Sequence, residues 1–161
     1  MADDSCHDVE LREERNQEAG VGPYFSVMLG SALGGLLRYT LIRLTLGWDA
    51  KLPLSTIGIN ILGCFVIGFF GTFTLQGGRH PASDTVRLFV MVGICGGFTT
   101  FSSFSLETFD LARGGAWFRA LLNVLLSVAL CFGSVALGHY LAQRGGTAQA
   151  VAETQEEELA G

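Results

Sequence analysis

The chain has 161 residues, 49% apolar and 16% charged, with a mean hydropathy of +0.42, too greasy and too sparsely charged for an ordinary soluble domain. The formal charge of −5 belongs to the ends: residues 1–19 hold seven acids and two bases, residues 143–161 four acids and one base, and 20–142 four acids and seven bases. A nucleic-acid binder needs a basic stripe for phosphates, and none exists here; a disordered chain would not carry this much apolar material.

In chain order, an acidic segment expected to be disordered (1–19) precedes a first uncharged run, 21–37, whose helix can continue through Arg38 to about residue 46. Its acidic leader and the lack of a small-residue cleavage site argue against a removable signal peptide. A second apolar run, 54–75, lies between Lys51 and Arg79. A third, 88–106, is flanked by Arg87 and Glu107, and a fourth, 120–138, by Arg119 and His139. About 20 helical residues at 1.5 Å each cross a ~30 Å hydrocarbon core. Four such runs leave almost nothing polar to cover them, so 20–142 is read as a four-span, all-α membrane domain. The connections, roughly 46–53, 76–85 and 110–116, are too short for a catalytic domain. The acidic end, 143–161, reads as disordered or weakly helical.

Four cysteines make no disulfide framework: Cys6 is in the polar leader, and Cys64, Cys95 and Cys131 sit singly in different apolar runs. With no CxxC pair and scattered histidines, a zinc site is not expected. With four spans, both ends and the second loop share one side, which holds Arg12, Arg15, Arg79, Arg87 and Arg144; the other holds Arg43, Lys51, Arg113 and Arg119. Orientation follows a bias in such counts, and five against four is hardly a bias. The balance permits insertion both ways round, the alternative being one topology fixed by something else. Ser26, Gly30 and Gly34 repeat at four-residue spacing, as do Asn123, Ser127 and Cys131, the small-residue pattern that lets helices approach closely in lipid.

Within the spans, Asn60 lies mid-way along the second run with Thr56 one turn earlier on the same face. A carboxamide in hydrocarbon must find partners, either by joining two helices or by donating to an anion. Arg38, ending the first run, either snorkels to the headgroups or draws anions into an aqueous mouth. Glu107 closes the third run, placed to pair with an arginine or to sit at the interface. That third run is the most unusual: Gly96-Gly97-Phe98-Thr99-Thr100-Phe101-Ser102-Ser103-Phe104-Ser105. Two glycines before two threonines make a poor continuous helix, and five hydroxyls in seven residues make a poor lipid-facing surface. The pattern predicts a helix broken near mid-membrane, tolerated only where it is buried or lines a cavity or ion site. The bland alternative is a continuous helix with hydroxyls bonded to its own carbonyls. Phe101 and Phe104 share a face if the second half is helical; their rings either pack or turn positive edges toward a small anion.

These residues resemble the fluoride channel family known as Fluc or CrcB. The resemblance rests on G-G-L-L-R-Y (34–39), S-T-I-G-I-N-I-L-G (55–63), G-I-C-G-G-F-T-T-F-S-S-F-S-L-E (93–107) and F-R-A-L-L-N-V-L-L-S (118–127), and spans about residues 30–140. It implies a four-span subunit inserted in both orientations, an antiparallel homodimer with two fluoride pathways, and a central structural Na⁺ held by backbone carbonyls at Gly96 and Thr99. It further places ring-lined pathways at Phe101 and Phe104, a pore asparagine at Asn60, a vestibule arginine at Arg38, and a hydroxyl track at Ser102 and Ser103 extended by Thr56. Ser103 departs from the threonine of many members but keeps the hydroxyl.

The function so implied is a passive fluoride channel of a prokaryotic cytoplasmic membrane, exporting fluoride down a potential worth about 2.3 kcal/mol per charge per 100 mV. Two alternatives compete. A proton- or cation-coupled transporter would want a titratable group at mid-membrane, for which Glu107 is the nearest candidate. A structural small-tetraspan protein would explain the glycines but not the polar stretch from Gly96 to Ser105. With no nucleophile–base pair and no metal triad, an enzyme is not expected.

Overall fold

The computed structural model describes residues 20–45, 47, 51–75 and 80–160, with side chains through Arg144. The expected leader 1–19 and Arg79 lie outside them. Among the described residues, four stretches are long and apolar enough to cross a membrane: Gly22–Thr45, Leu54–Phe73, Asp84–Arg113 and Trp117–Arg144. Helix α1 is Gly22–Thr45 and α2 is Leu54–Phe73. The third span divides into α3, residues 84–98, and α4, Phe101–Arg113; the fourth is the membrane-crossing part of α5, Trp117–Ala160.

The ends follow local chemistry. Pro53 immediately precedes α2, where a missing N–H costs nothing. Ser83 caps α3 by accepting from the Val86 N–H at 3.4 Å, with Asp84 in the first turn. That cap starts the third span four residues before the apolar run does. Between α4 and α5 only 114–116 remain, and Gly115, at φ +79°, supplies the left-handed residue that so short a connection requires.

Two seams of small residues hold the bundle together. On the first, α1 lies against α3: a Cβ on Gly93 would stand 2.8 Å from the Gly30 Cα, and one on Gly97 2.9 Å from the Ser31 Cα. Gly30 and Gly34 are buried, so the four-residue repeat expected to permit close approach does so. On the second seam α2 and α5 run parallel, in their most extensive contact with any neighbour. A Cβ on Gly68 would meet the Val135 Cα at 3.0 Å, and one on Gly138 the Phe69 N at 2.7 Å. One turn beyond Gly68, the Thr72 hydroxyl is 2.7 Å from His139 Nδ1, at the same separation in sequence as Gly68 and Val135. The register is therefore constant along the seam.

The third span is broken near its middle, as expected, and the break falls at the two threonines. Asp84–Arg87 is α-helical, Leu88–Cys95 is π-helical, and Gly96–Phe98 closes one further α turn. Thr99 and Thr100 are then extended, at φ −76°, ψ 156° and φ −150°, ψ 108°, before α4 begins. Gly96 and Gly97 stay helical; the missing side chain of Gly97 serves the seam on α1, and the threonines make the break. The π-helical stretch was not expected, and such segments are frequent at functional sites.

Candidate functional site

The break is held by a side chain from α2. Asn60 Oδ1 accepts the Thr100 N–H at 2.8 Å, and Asn60 Nδ2 donates to the Thr100 carbonyl at 3.2 Å. Of the two roles open to this carboxamide, joining helices is realised, while its second N–H is not used in that pair. On the far side of Thr100, its hydroxyl accepts the Ser103 N–H at 3.2 Å and caps α4. The same hydroxyl lies 3.0 Å from Ser103 Oγ and 3.2 Å from Ser102 Oγ.

The break takes the helical donors away from the carbonyls of residues 96–99, and these bonds engage two of those donors. In an uninterrupted helix the Thr100 N–H would bond the Gly96 carbonyl, and the Ser103 N–H would bond that of Thr99. Asn60 takes the first donor and the Thr100 hydroxyl takes the second. The two carbonyls that the resemblance assigns to a cation are thus among the four that the break leaves without their helical donors. Gly96 is exposed on the single chain, and a Cβ there would meet nothing within 4 Å. Backbone oxygens without a carboxylate suit a hard monovalent cation, so this donor set fits Na⁺.

A cavity of about 360 Å³ opens beside the break, lined by Asn60 and Cys64 of α2, Gly96, Thr99 and Thr100, Phe101 and Phe104 of α4, and Ser127 and Phe132 of α5. Its described lining holds no acid, base or histidine; its polarity comes from dipoles. The Phe101 and Phe104 ring centroids are 5.4 Å apart, tilted by 49°. Phe101 is 78% exposed on this chain, so the cavity is open on that side. Ser127 is only 6% exposed, and its Oγ has no hydrogen-bond partner among the described residues.

Toward the first and third loops, Thr56 donates to Glu107 Oε1 at 2.8 Å. Thr56 is 3% exposed. Glu107 also lines a second cavity of about 410 Å³ with Lys51, Asp110 and Arg119. Arg38 is half-exposed on α1 and lines neither cavity. The structure thus brings together Asn60, Gly96, Thr99, Phe101 and Phe104, joins Ser102 and Ser103 to Thr100, pairs Thr56 with Glu107, and leaves Arg38 apart.

Three residues stand out that their pattern alone presented otherwise. Asn123 and Ser127 read as small-residue spacers. Asn123 is 0% exposed and donates to Thr108 Oγ1 at 2.7 Å, which in turn donates to the Phe104 carbonyl at 2.7 Å. Thr100 counted as one hydroxyl among five, yet it anchors both sides of the break. The available signal was chemical: an asparagine one turn before a serine on an apolar helix is costly unless its dipoles are used.

A four-span membrane protein whose third span breaks at a neutral, dipole-lined cavity is of the class built for passing ions. Comparison with known proteins gives the family. Residues 25–139 match the model of the CrcB-like protein, Camphor Resistance (CrcB) family, and the chain belongs to that family. It is 54% identical over 134 residues to a "Fluoride-specific ion channel FluC" of Methylobacterium radiotolerans, covering 82% of this chain and 94% of the relative. A relative of the same description from Gluconobacter oxydans is 55% identical, covering 82% and 93%. Another, from Paramagnetospirillum magneticum, is 52% identical over 120 residues, covering 74% and 94%. Four spans and bacterial relatives make this a multi-pass protein of a prokaryotic cytoplasmic membrane, and the family makes it a transport protein rather than an enzyme.

Proposed function

We propose that the chain is a passive fluoride-conducting channel that lets cytoplasmic fluoride leave the cell. The observation that carries this reading is the neutral cavity at the break. It offers a buried Ser127 hydroxyl, the second N–H of Asn60 and two phenyl rings, with no fixed negative charge to repel an anion. Fluoride is small and strongly hydrated, so its path must replace several water hydrogen bonds at once. Ring edges carry the positive side of the aromatic quadrupole and supply attraction without a trapping charge. From the cavity the path runs along Ser102, Ser103 and Thr56 toward the outer cavity, where Lys51 and Arg119 offset Glu107 and Asp110, with Arg38 steering ions at a mouth.

The working unit is an antiparallel homodimer, supported by the near-balanced base count and by the exposure of Phe101 and Gly96 on a single chain. A second copy laid across that face closes each cavity and brings a second pair of Gly96 and Thr99 carbonyls to the axis. Four such oxygens would hold one structural Na⁺, which fixes the two broken spans against each other. The test is fluoride efflux from liposomes containing the purified protein, with chloride as control. Fluoride efflux far above chloride is expected; equal rates, or none, would overturn the reading.

A further inference from the structure

Three free thiols from three helices, Cys64, Cys95 and Cys131, line the cavity at the break. The proposed path uses none of them. Cys64 and Cys131 face one another across the seam between α2 and α5, and both line the same cavity. Their register is that of Gly68 with Val135 and of Thr72 with His139. One turn from Cys64 the two backbones are in contact at Gly68, so neither helix can draw back and separate the sulfurs. Both thiols are part-exposed, whereas Cys95 is buried. No group of three or more His, Cys, Asp or Glu among the described residues could share a metal ion. A tetrahedral ion of the zinc kind would therefore lack ligands, and the seam offers two sulfurs only.

We propose that Cys64 and Cys131 form a two-sulfur site in the cavity wall for a soft divalent cation of the mercuric type. Thiolates select soft metals, and each thiol gives up its proton on binding. One divalent cation and two thiols thus yield a neutral bis-thiolate and two protons delivered to water, with no change of oxidation state. Neutrality decides the class of ion. A buried net charge is costly, so a monovalent soft cation on two thiolates is disfavoured, and a hard divalent ion would demand oxygen ligands. The site stands apart from the fluoride reading; only its consequence, that an ion there obstructs the path beside Asn60 and Ser127, rests on it.

The experiment uses the full chain carrying Cys6→Ser, with mercuric chloride as the probe. Metal content, protons released and sulfur neighbours by X-ray absorption are read on purified protein, and fluoride efflux in parallel. One ion per chain, two sulfur neighbours and two protons are expected. Cys64→Ala and Cys131→Ala should each weaken retention at least about 100-fold, because the second sulfur's effective concentration is lost, while Cys95→Ala should not. Cys64→Ser and Cys131→Ser serve if an alanine variant fails to fold. Undiminished retention in variants of both residues, or loss in Cys95→Ala, would overturn the site. Metal bound as expected with efflux untouched would support the site and count against the fluoride path lying there.

Discussion

Asn60 and Thr100, forty residues apart, close a ring of two hydrogen bonds, with Oδ1 accepting at 2.8 Å and Nδ2 donating at 3.2 Å. The carboxamide does for one extended residue what a neighbouring strand would do. It lets the third span break in the membrane without leaving the Thr100 N–H and carbonyl bare.

Removing that clamp should cost stability before it costs selectivity. Asn60→Ala leaves both Thr100 groups without these partners, at about 1–3 kcal/mol for each buried group. Asn60→Asp keeps the acceptor but sets a carboxylate oxygen against the Thr100 carbonyl and a charge in an anion's way, so it should lower efflux more than Asn60→Ser. Thermal unfolding in detergent together with fluoride efflux reads both effects. Wild-type melting of Asn60→Ala would show that the break holds itself.

Neighbouring glycines on α1 give a paired test of the seam. A Cβ on Gly34 would stand 2.8 Å from the Phe98 N and closer still to the Ile94 carbonyl, while one on Gly35 would meet nothing within 4 Å. Gly34→Ala should therefore fail to yield a stable protein. Gly35→Ala should melt as wild type or be more stable by about 0.5–1 kcal/mol, the ordinary gain of alanine over glycine in a helix. Equal behaviour of the two would mean that α1 and α3 do not meet as described.

The spans were legible because charge gaps of membrane-crossing length are a strong one-dimensional signal, and α1 ends at Thr45, one residue from the expected end. That the third span breaks was legible from its hydroxyls. Where it breaks was not, since that depends on Ser31 packing on Gly97 and on Asn60 reaching Thr100, both contacts between distant residues. The π-helical stretch Leu88–Cys95 left no trace in an unbroken apolar run. Asn123 and Ser127 were visible as a four-residue repeat, but spacing alone does not separate a packing residue from one whose hydroxyl faces a cavity.

The rings of Phe101 and Phe104 should matter by their edges. Phe101→Ile and Phe104→Ile keep most of the bulk and remove the quadrupole. Each should reduce initial fluoride efflux while leaving the protein folded. A lost interaction of about 1–3 kcal/mol that appears fully in the barrier corresponds to roughly 5- to 150-fold. Wild-type rates in both variants would assign the rings to packing and move the path elsewhere.

Thr56 tests the route toward the outer cavity. Its hydroxyl donates to Glu107 Oε1 at 2.8 Å, and a hydrogen bond to a charged group is worth about 1.5–3 kcal/mol. Thr56→Val keeps the shape and removes the donor; it should slow efflux and destabilise the protein modestly. Glu107→Gln keeps an oxygen that can accept from Thr56 and should leave stability closer to wild type. If Thr56→Val conducts normally, the pair is structural and the path passes it by.

Thr100 offers the sharpest test of the cation site, because its hydroxyl holds the N–H that would bond the Thr99 carbonyl if Thr100 turned helical. Thr100→Val is nearly isosteric and keeps a β-branched residue suited to extended backbone, but it cannot accept from Ser103. The loss of the cap should cost about 0.5–2 kcal/mol. Without the cap, Thr100 can turn helical and the freed Ser103 N–H bond the Thr99 carbonyl, in competition with a bound cation. The expected result is therefore twofold: a lower melting temperature, and a fluoride efflux that needs more Na⁺ when Na⁺ is titrated against a bulky organic cation. A purely structural cap would lower the melting temperature and leave the Na⁺ titration where it is in the wild type. That second outcome would sever the Thr100 hydroxyl from the ion and leave it only as the start of α4.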